Sequence, residues 1–317
     1  MPRTRLFFIS DVHGSERCFI KFLNAGTFYK ANCIILGGDL TFKAIVPVVK
    51  KSDKYYATFL GEKYILNNDA EVNALEKRIR SIGFYPYRLS EEQMQELSAN
   101  PRKQDELFLQ LVLEMIKKWV TIAEDKLKGT NVKCFISPGN DDDPKIDEYL
   151  KASKRIIYPE EQVVQVDDHH EMITLGVANI TPWHCFRDVS EEVIYEKLEK
   201  LASQVRNMET CIFNLHAPPY GTPLDLAPKL DENLKPVPSP TGGVEMVNVG
   251  STSVRKIIEK YQPMLSLHGH IHESRGSIRI GRTLCVNPGS EYTEGILKGF
   301  LADITEKGIK DYIFTTG

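Results

Sequence analysis

Several things are missing from this sequence, and each absence excludes a class of protein. Its six cysteines (Cys18, Cys33, Cys134, Cys185, Cys211 and Cys285) are scattered over 317 residues with no C-x-x-C pair. That spacing offers no disulfide framework and no paired-thiol site, so buried reduced thiols are expected. There is no long uninterrupted apolar run. The most apolar helical stretch, LFLQLVLEMIKKWV, is interrupted by Glu114, Lys117 and Lys118, so no membrane span is expected. The first apolar run begins at Leu6 and leaves no room for a signal peptide's charged head, so a cytoplasmic location is expected. Charge of either sign is not in excess. Lysine and arginine number 40 and aspartate and glutamate 43, a formal net charge of -3 that gives no footprint of a nucleic-acid binder. Internal repeats and low-complexity tracts are absent as well.

What is present fits a packed protein, with 42% hydrophobic and 26% charged residues. The runs LFFISDVHG, CIILGGDL, CFISPGNDD, CIFNLHAPP, MLSLHGHIH and TLCVNPGS each join a short apolar stretch to glycine, aspartate, asparagine or proline. This is the pattern of a strand buried on both faces with a loop at its carboxyl end. Active sites of open α/β sheets gather at such ends.

Between these runs other elements are legible. KYYATFLGEKYIL reads as two strands meeting at Leu60 and Gly61, and AEVNALEKRIRSIG as a helix stopping at Gly83. Ser90 with Gln93 forms a capping-box pattern, and the longest helix should start at Pro101 behind Asn100 and stop at Gly129. Its apolar stripe Leu107, Leu111, Met115, Trp119 and Ile122 predicts one buried face. VVQVDDHHEMITLGVANI predicts a hairpin that leaves His169 and His170 solvated in its turn, and SEEVIYEKLEKLASQV a helix capped by Ser190. The proline-rich excursion APPYGTPLDLAPKLDENLKPVPSPTGGV is either a functional loop or a cover for a sheet edge. GFLADI and KDYIFTT read as antiparallel strands.

The polar residues at the strand ends form a set: Asp11 and His13, Asp39, Asn140, His216, and His270 with His272. Four imidazoles, two carboxylates and one amide suit first-row divalent metals, and seven ligands exceed what one ion can use. Two ions about 3.5 to 4 Å apart, bridged by a carboxylate, could use them all and would clamp the oxygens of phosphoryl transfer. Two divalent ions bring four positive charges against two carboxylates, which favours an anionic substrate.

In this order the motifs D-x-H, G-D, G-N-x, H and G-H-x-H resemble the calcineurin-like metallophosphoesterases, from Asp11 to about Ser290. HAPPYGTPLD, LHGHIHES and VNPGSEY further resemble a prokaryotic single-domain branch. The resemblance implies an α/β four-layer αββα sandwich of two mixed sheets, over a single domain of residues 1–317. It also implies a first metal on Asp11, His13 and His272, a bridging Asp39, and a second metal on Asn140, His216 and His270. Water activated by the metal pair would then attack the ester, with no serine or cysteine nucleophile. Manganese is the first expectation, with iron, zinc, cobalt or nickel as alternatives. The expected substrate is a small phosphate ester, including nucleotides, with phosphodiesters preferred. A phosphomonoesterase or nuclease of the same fold and a non-catalytic scaffold are the competing readings, and a homo-oligomer is compatible with all of them.

Two departures from the family pattern matter. Asp141 stands where most members carry a histidine that serves the leaving group or the phosphate, which puts efficient alkyl monoester hydrolysis in doubt. Asp39 and Asn140 are separated by roughly a hundred positions, far beyond one β-α-β crossover, so an inserted, mainly helical segment is expected at about 42–100. It would act as a lid or a dimer contact, or simply extend the outer helical layer. Beside Asp141, His184 and Arg187 of TPWHCFRD are candidates for reaching a substrate phosphate. Asn287 and Ser290 are candidates for supporting hydrogen bonds. Of the three histidines in SLHGHIHES, His268 should stay behind in the strand as packing.

Overall fold

The short apolar runs become strands because β-branched and aromatic residues fit a pleated surface and glycine or proline ends each run. In the computed structural model, which describes residues 3–41, 44–240 and 242–317, β1 (Thr4–Ile9) leads to α1 (Glu16–Phe28), capped by the Ser15 hydroxyl accepting from the Cys18 amide. β2 (Cys33–Gly37) then pairs parallel to β1. An excursion follows through β3 (Ile45–Lys51), β4 (Lys54–Phe59), β5 (Glu62–Leu66), α2 (Asp69–Ser81), β6 (Tyr85–Ser90) and α3 (Glu91–Ala99). The long α4 (Pro101–Leu127) returns the chain to β7 (Lys133–Ser137), which lies parallel to β2. α5 (Asp147–Lys151) and β8 (Ile156–Ile157) complete this side.

The second half runs through β9 (Val163–Gln165), β10 (Glu171–Leu175), β11 (Ala178–Asn179), β12 (Asp188–Val189), α6 (Glu191–Ala202) and β13 (Ile212–Leu215). It continues with β14 (Leu226–Pro228), β15 (Met246–Asn248), α7 (Thr252–Tyr261), β16 (Leu265–Leu267), β17 (Gly276–Ile280) and β18 (Thr283–Asn287). β19 (Lys298–Thr305) and β20 (Gly308–Thr316) are antiparallel, as their alternation predicts. The proline-rich excursion carries the small β14–β15 hairpin.

Two six-stranded mixed sheets result, in the orders β20-β19-β1-β2-β7-β8 and β17-β18-β16-β13-β10-β9. Leu6, Phe8, Ile35 and Phe135 of the first meet Met172, Ile212, Leu265 and Val286 of the second in one buried layer. Alternate residues face the other way. Phe7, Ile9, Ile34 and Ile136 pack with Phe19, Phe22 and Trp119 under α1 and α4, while Ile173, Phe213 and Cys285 pack with Ile194, Leu198 and Ile257 under α6 and α7. Each such side chain stabilises the fold by about 1.5 to 3 kcal/mol relative to its exposure. The order helix, sheet, sheet, helix is the expected four-layer αββα arrangement. Among the described residues, no helix is long and apolar enough to cross a membrane.

Three expectations need correction. The buried face of α4 is Val112, Ile116, Trp119, Ala123 and Leu127, so of the expected stripe Trp119 is at its centre while Leu111, Met115 and Ile122 flank it, partly buried against the same core. His170 is buried: its Nδ1 lies 2.7 Å from the Asp167 carboxylate and its Nε2 3.1 Å from the Thr305 carbonyl, so the hairpin turn docks on the end of β19. The insertion is not mainly helical. Its described part holds a four-stranded sheet, β5-β4-β3-β6, with α2 packed on it around Val48, Phe59, Val72 and Ile79. IVPVVKK and YPYRLS carry too few alternations to separate strand from loop by pattern, and their pairing decides. Phe42 and Lys43, at the start of the expected insertion, lie outside the described residues, as does Thr241 in the proline-rich excursion.

Candidate metal centre

Each strand that ends at this edge delivers its polar residues through a loop whose backbone departs from regular structure. Asp11, His13, Asp39 and His270 all hold positive φ, at 57°, 39°, 50° and 68°. Such conformations cost on the order of 1 to 3 kcal/mol each in non-glycine residues and persist only where the surroundings over-determine them. The surroundings do so here. The amides of Asp11, His13 and Gly14 donate in turn to the carbonyls of Gly38, Asp39 and Leu40, so the loops after β1 and β2 lock together. Gly139 and Gly269 admit no side chain: a Cβ would strike the Asp39 carboxylate at the first, and the Ser10 hydroxyl and Asp11 carboxylate at the second.

Six of the seven expected ligands converge. Asp11, His13 and His272 offer ligand atoms within 4.8 Å of one another, and so do Asp39, His216 and His270. The ring nitrogens His13 Nε2 and His272 Nε2 face each other at 3.0 Å. One oxygen, Asp39 Oδ2, lies 3.6 Å from His13 Nε2 and 3.3 Å from His216 Nε2, and so joins the two triads. The other, Asp39 Oδ1, accepts from the Asp141 amide.

Buried polar atoms test whether this set suits metal ions. His216 Nδ1 donates to the Gly37 carbonyl at 3.1 Å, which leaves Nε2 facing the cluster without a hydrogen-bond partner. Asn140 Nδ2 donates to Asp188 at 2.8 Å, and its buried Oδ1 has no hydrogen-bond partner either. Unsatisfied buried acceptors cost about 1 to 3 kcal/mol each, and a cation would satisfy both. The donor set therefore fits a pair of divalent ions.

The same crowding shifts protonation. Burial alone would raise the Asp39 carboxyl, but His216, His13 and His270 override it and hold it far below the carboxylate range. Burial would lower His216, and Asp39 and Asp11 instead pull it up to about 10, giving Nε2 a proton that a bound cation would displace. His270, buried and beside His216, is pushed down to about 4.

The three catalytic candidates part company. Asp141 stays at the cluster, its carboxylate 3.9 Å from His13 Nδ1 and grouped with His13 and Asp39. Arg187 turns to Asp147 at 2.6 Å and to the Asp142 carbonyl at 2.9 Å, so its fork is engaged in holding the loop after β7. His184 is exposed, outside both triads, with its own φ at 49°.

Other residues matter that the pattern did not single out. Asp143 caps the short turn at Pro144 by accepting from the Lys145 amide. The buried Asp142 carboxylate instead accepts from the Leu40, Thr41 and Gly139 amides and from the Thr41 hydroxyl, tying the loops of Asp39 and Asn140 together. Burial, and then the charge of Asp39, raise it to about 6. Asp188 accepts from Asn140 and also from Thr181 and Cys185, which fixes the Asn140 amide orientation. Nothing in TPWHCFRDVS signals that contact, because its partner is distant in sequence. The Tyr292 ring sits 4.7 Å from that of His13 and 5.7 Å from that of His272. Burial and the carboxylate of Asp11 push its hydroxyl up to about 12. Asn287 and Ser290 occupy the supporting positions expected of them: Asn287 Nδ2 donates to the Gly269 and Ile271 carbonyls and the Ser290 hydroxyl to the Asp11 carbonyl. His268 lies one residue past β16 and not in the strand as expected, but it is fully buried packing, its Nδ1 against the Leu215 and Ala217 carbonyls.

Comparison with known proteins adds relatives. No family model matches the chain. The uncharacterised protein MJ1162 of Methanocaldococcus jannaschii is 33% identical over 178 residues, which make up 56% of this chain and 70% of that protein. TT1561 of Thermus thermophilus shares the fold at a TM-score of 0.53 and 15% identity, with 100% of this chain and 99% of that one covered. A further solved structure aligns at a TM-score of 0.58 and 18% identity over 100% of this chain and 99% of its own. The chain therefore belongs to one family with MJ1162, and the two solved structures share its fold.

Proposed function

We propose that this protein is a dimetal phosphoesterase that hydrolyses small phosphate esters and prefers phosphodiesters. The observation that carries the reading is the shared Asp39 oxygen, within 3.6 Å of an imidazole nitrogen from each triad. Two divalent ions held there, with manganese expected first, would supply Lewis acidity and water activated near neutral pH. The chain's own work is to position. Asp11, His13 and His272 present one set of donors and Asn140, His216 and His270 the other, with Asp39 between them. Asp188 keeps the Asn140 oxygen turned inward, and Asp142 fixes the spacing of the two loops. Burial of the cluster keeps bulk water from screening the attraction between the loaded site and an anionic ester.

Asp141 supports the diester preference. It stands 3.9 Å from His13 in place of the imidazole that would serve the leaving group, so esters whose leaving group needs no proton are favoured. Arg187 enters this reading as a support of the Asn140 loop, its backbone N–H donating a hydrogen bond to the Asn140 carbonyl at 3.0 Å.

The test is a metal count together with rates. Protein loaded in turn with manganese, iron, zinc, cobalt or nickel is assayed on bis(p-nitrophenyl) phosphate, p-nitrophenyl phosphate and glycerol 2-phosphate. About two metals per chain and rapid diester hydrolysis are expected. A metal-free, inert protein would sink the enzyme reading, whereas faster turnover of glycerol 2-phosphate than of the diester would sink only the preference.

A further inference from the structure

His272 turns Nε2 to His13 inside the cluster and also lines a pocket of about 400 Å³, a volume within the range of small-molecule sites. Tyr292, whose ring lies 5.7 Å from that of His272, lines the pocket too. The pocket and the Asp and His cluster therefore share a wall. That wall is held in place. The Ser290 amide donates to the His272 carbonyl at 3.1 Å, and the Ser290 hydroxyl donates to the Asp11 carbonyl at 2.6 Å. Gly289 sits so close to the His272 carbonyl that a Cβ there would meet it at 2.9 Å. A ligand meets a formed pocket and need not order a loop.

The lining decides what fits. None of its described residues is alanine, valine, leucine, isoleucine, methionine or phenylalanine, so a hydrocarbon arm gains little there. Arg275 and Lys298 stand against Glu273 and Glu291, a balance that favours neither a second phosphate nor an ammonium group. Arg275 is already engaged: it donates to the Thr315 carbonyl and the Thr316 hydroxyl and lies 5.4 Å from the centre of the Phe314 ring. Lys298, its side chain 14% exposed, pairs with Glu291 at 2.9 Å, which takes one of the three ammonium protons. Glu273 is exposed and has no hydrogen-bond or ion-pair partner among the described residues. The pocket thus offers a carboxylate that only accepts and an ammonium that only donates. A hydroxyl does both, so an arm with paired hydroxyls can answer each.

We propose that this pocket is the subsite for a neutral polyol arm of the substrate, such as the ribose of a nucleotide or the glycerol of a glycerophosphodiester. The proposal rests on the phosphoesterase reading for the phosphate itself. The cluster engages the phosphate, and Glu273 and Lys298 take hydroxyls of the arm beside it, as a carboxylate takes a ribose hydroxyl in dinucleotide sites.

Two measurements separate the pocket from the enzyme reading. The first is saturation-transfer NMR of methyl β-D-ribofuranoside and of glycerol on the full chain, with 1-propanol as the control that lacks paired hydroxyls. At least one polyol, and not the propanol, should receive saturation, and Glu273→Ala and Lys298→Met should each weaken binding by about tenfold. The second gives the metal-loaded protein p-nitrophenyl phosphodiesters whose other arm is ribos-5-yl, 2,3-dihydroxypropyl, propyl or 2-aminoethyl, so that the leaving group is constant. kcat/KM should favour a hydroxylated arm over propyl by about tenfold, and the ratio should collapse toward unity in both variants. The larger of the two hydroxylated ratios tells ribose from glycerol. Absence of saturation transfer to both polyols, a ratio that survives both substitutions, or a 2-aminoethyl ester that outruns both hydroxylated ones overturns the subsite. Hydrolysis of none of the four esters, with polyol binding intact in the parent and weakened in both variants, keeps the subsite and overturns the phosphoesterase reading instead.

Discussion

The edge of the sandwich that carries the Asp and His cluster and the inserted sheet lie against each other and are built on opposite terms. At the edge, four ligand residues hold left-handed backbone, and two buried acceptors lack hydrogen-bond partners. In the insertion, described non-glycine residues of that conformation are confined to the exposed turn positions Ser52 and Leu60. Its helices carry ordinary caps, from Asn68 on α2 and Ser90 on α3, and it buries a core of its own around Val48, Phe59 and Ile79. The contrast teaches where local preference yields to function. The edge tolerates strain because two sheets and their interlocked loops over-determine it, whereas the insertion follows local rules and contributes a surface.

The sharpest way to break this comparison is to injure each region once. Asp39→Asn removes the carboxylate shared by both triads, and activity is expected to fall by at least about a thousandfold with loss of metal. Phe59→Ala, in the insertion core, should cost about 3 to 5 kcal/mol of stability and leave the metal count of the folded protein intact. Elemental analysis beside thermal melts reads both. Should Phe59→Ala strip the metals as Asp39→Asn does, the two regions would have to be one cooperative device.

Next comes Asp188→Ala, which leaves all seven ligands in place but frees the Asn140 amide to rotate. Loss of such an orienting partner typically lowers metal affinity about ten- to a hundredfold. Calorimetric titration should show one weakened ion and one nearly unchanged, because Asp11, His13 and His272 do not depend on Asp188. Equal weakening of both ions would mean that Asp188 supports the whole edge.

Much of this was legible from the sequence for a simple reason: ligands follow buried strands, and a short apolar run ending in G-D, G-N or G-H shows both the strand and its terminus. Ser90, Asn100 and Ser190 announced their helices because capping is local. The rest depends on contacts between residues distant in sequence. Asp188 reaches Asn140 across 48 positions and Asp142 reaches Leu40 across 102, and no local pattern marks either. His170 looked like a solvated turn residue because its partner, Thr305, lies at the far end of the chain. β3 and β6 are strands because they pair with each other, parallel and across an intervening hairpin and helix.

A smaller effect separates the neighbours in SLHGHIHES. His268 is fully buried and burial pushes it down to about 4, so it stays neutral while Nδ1 donates to the Leu215 and Ala217 carbonyls. His268→Ala should therefore lower the melting temperature and reduce metal content only a few-fold, well short of His270→Ala. A metal loss as severe as that of His270→Ala would place His268 among the ligands after all.

The subtlest difference between the regions is in how their stability responds to pH. Glu160 is buried behind the loop after β7, with one oxygen accepting from the Gly176 amide and the other without a hydrogen-bond partner. Burial raises its carboxyl from an ordinary 4.5 to about 8. A folded value above the unfolded one means that the folded chain binds the extra proton. This contribution to stability is present in full below about pH 4.5 and is lost as pH rises toward 8. Glu160→Gln mimics the protonated form at every pH, so its melting temperature should match the parent near pH 4.5 and exceed it at pH 8. The gain at pH 8 should be on the order of 4 kcal/mol, read as a rise in melting temperature of several degrees or more. Chemical denaturation of both proteins across that range checks the sign. A difference that stayed flat with pH would mean that Glu160 is ionised in the folded protein, and the stability of the edge would then depend on pH no more than that of the insertion.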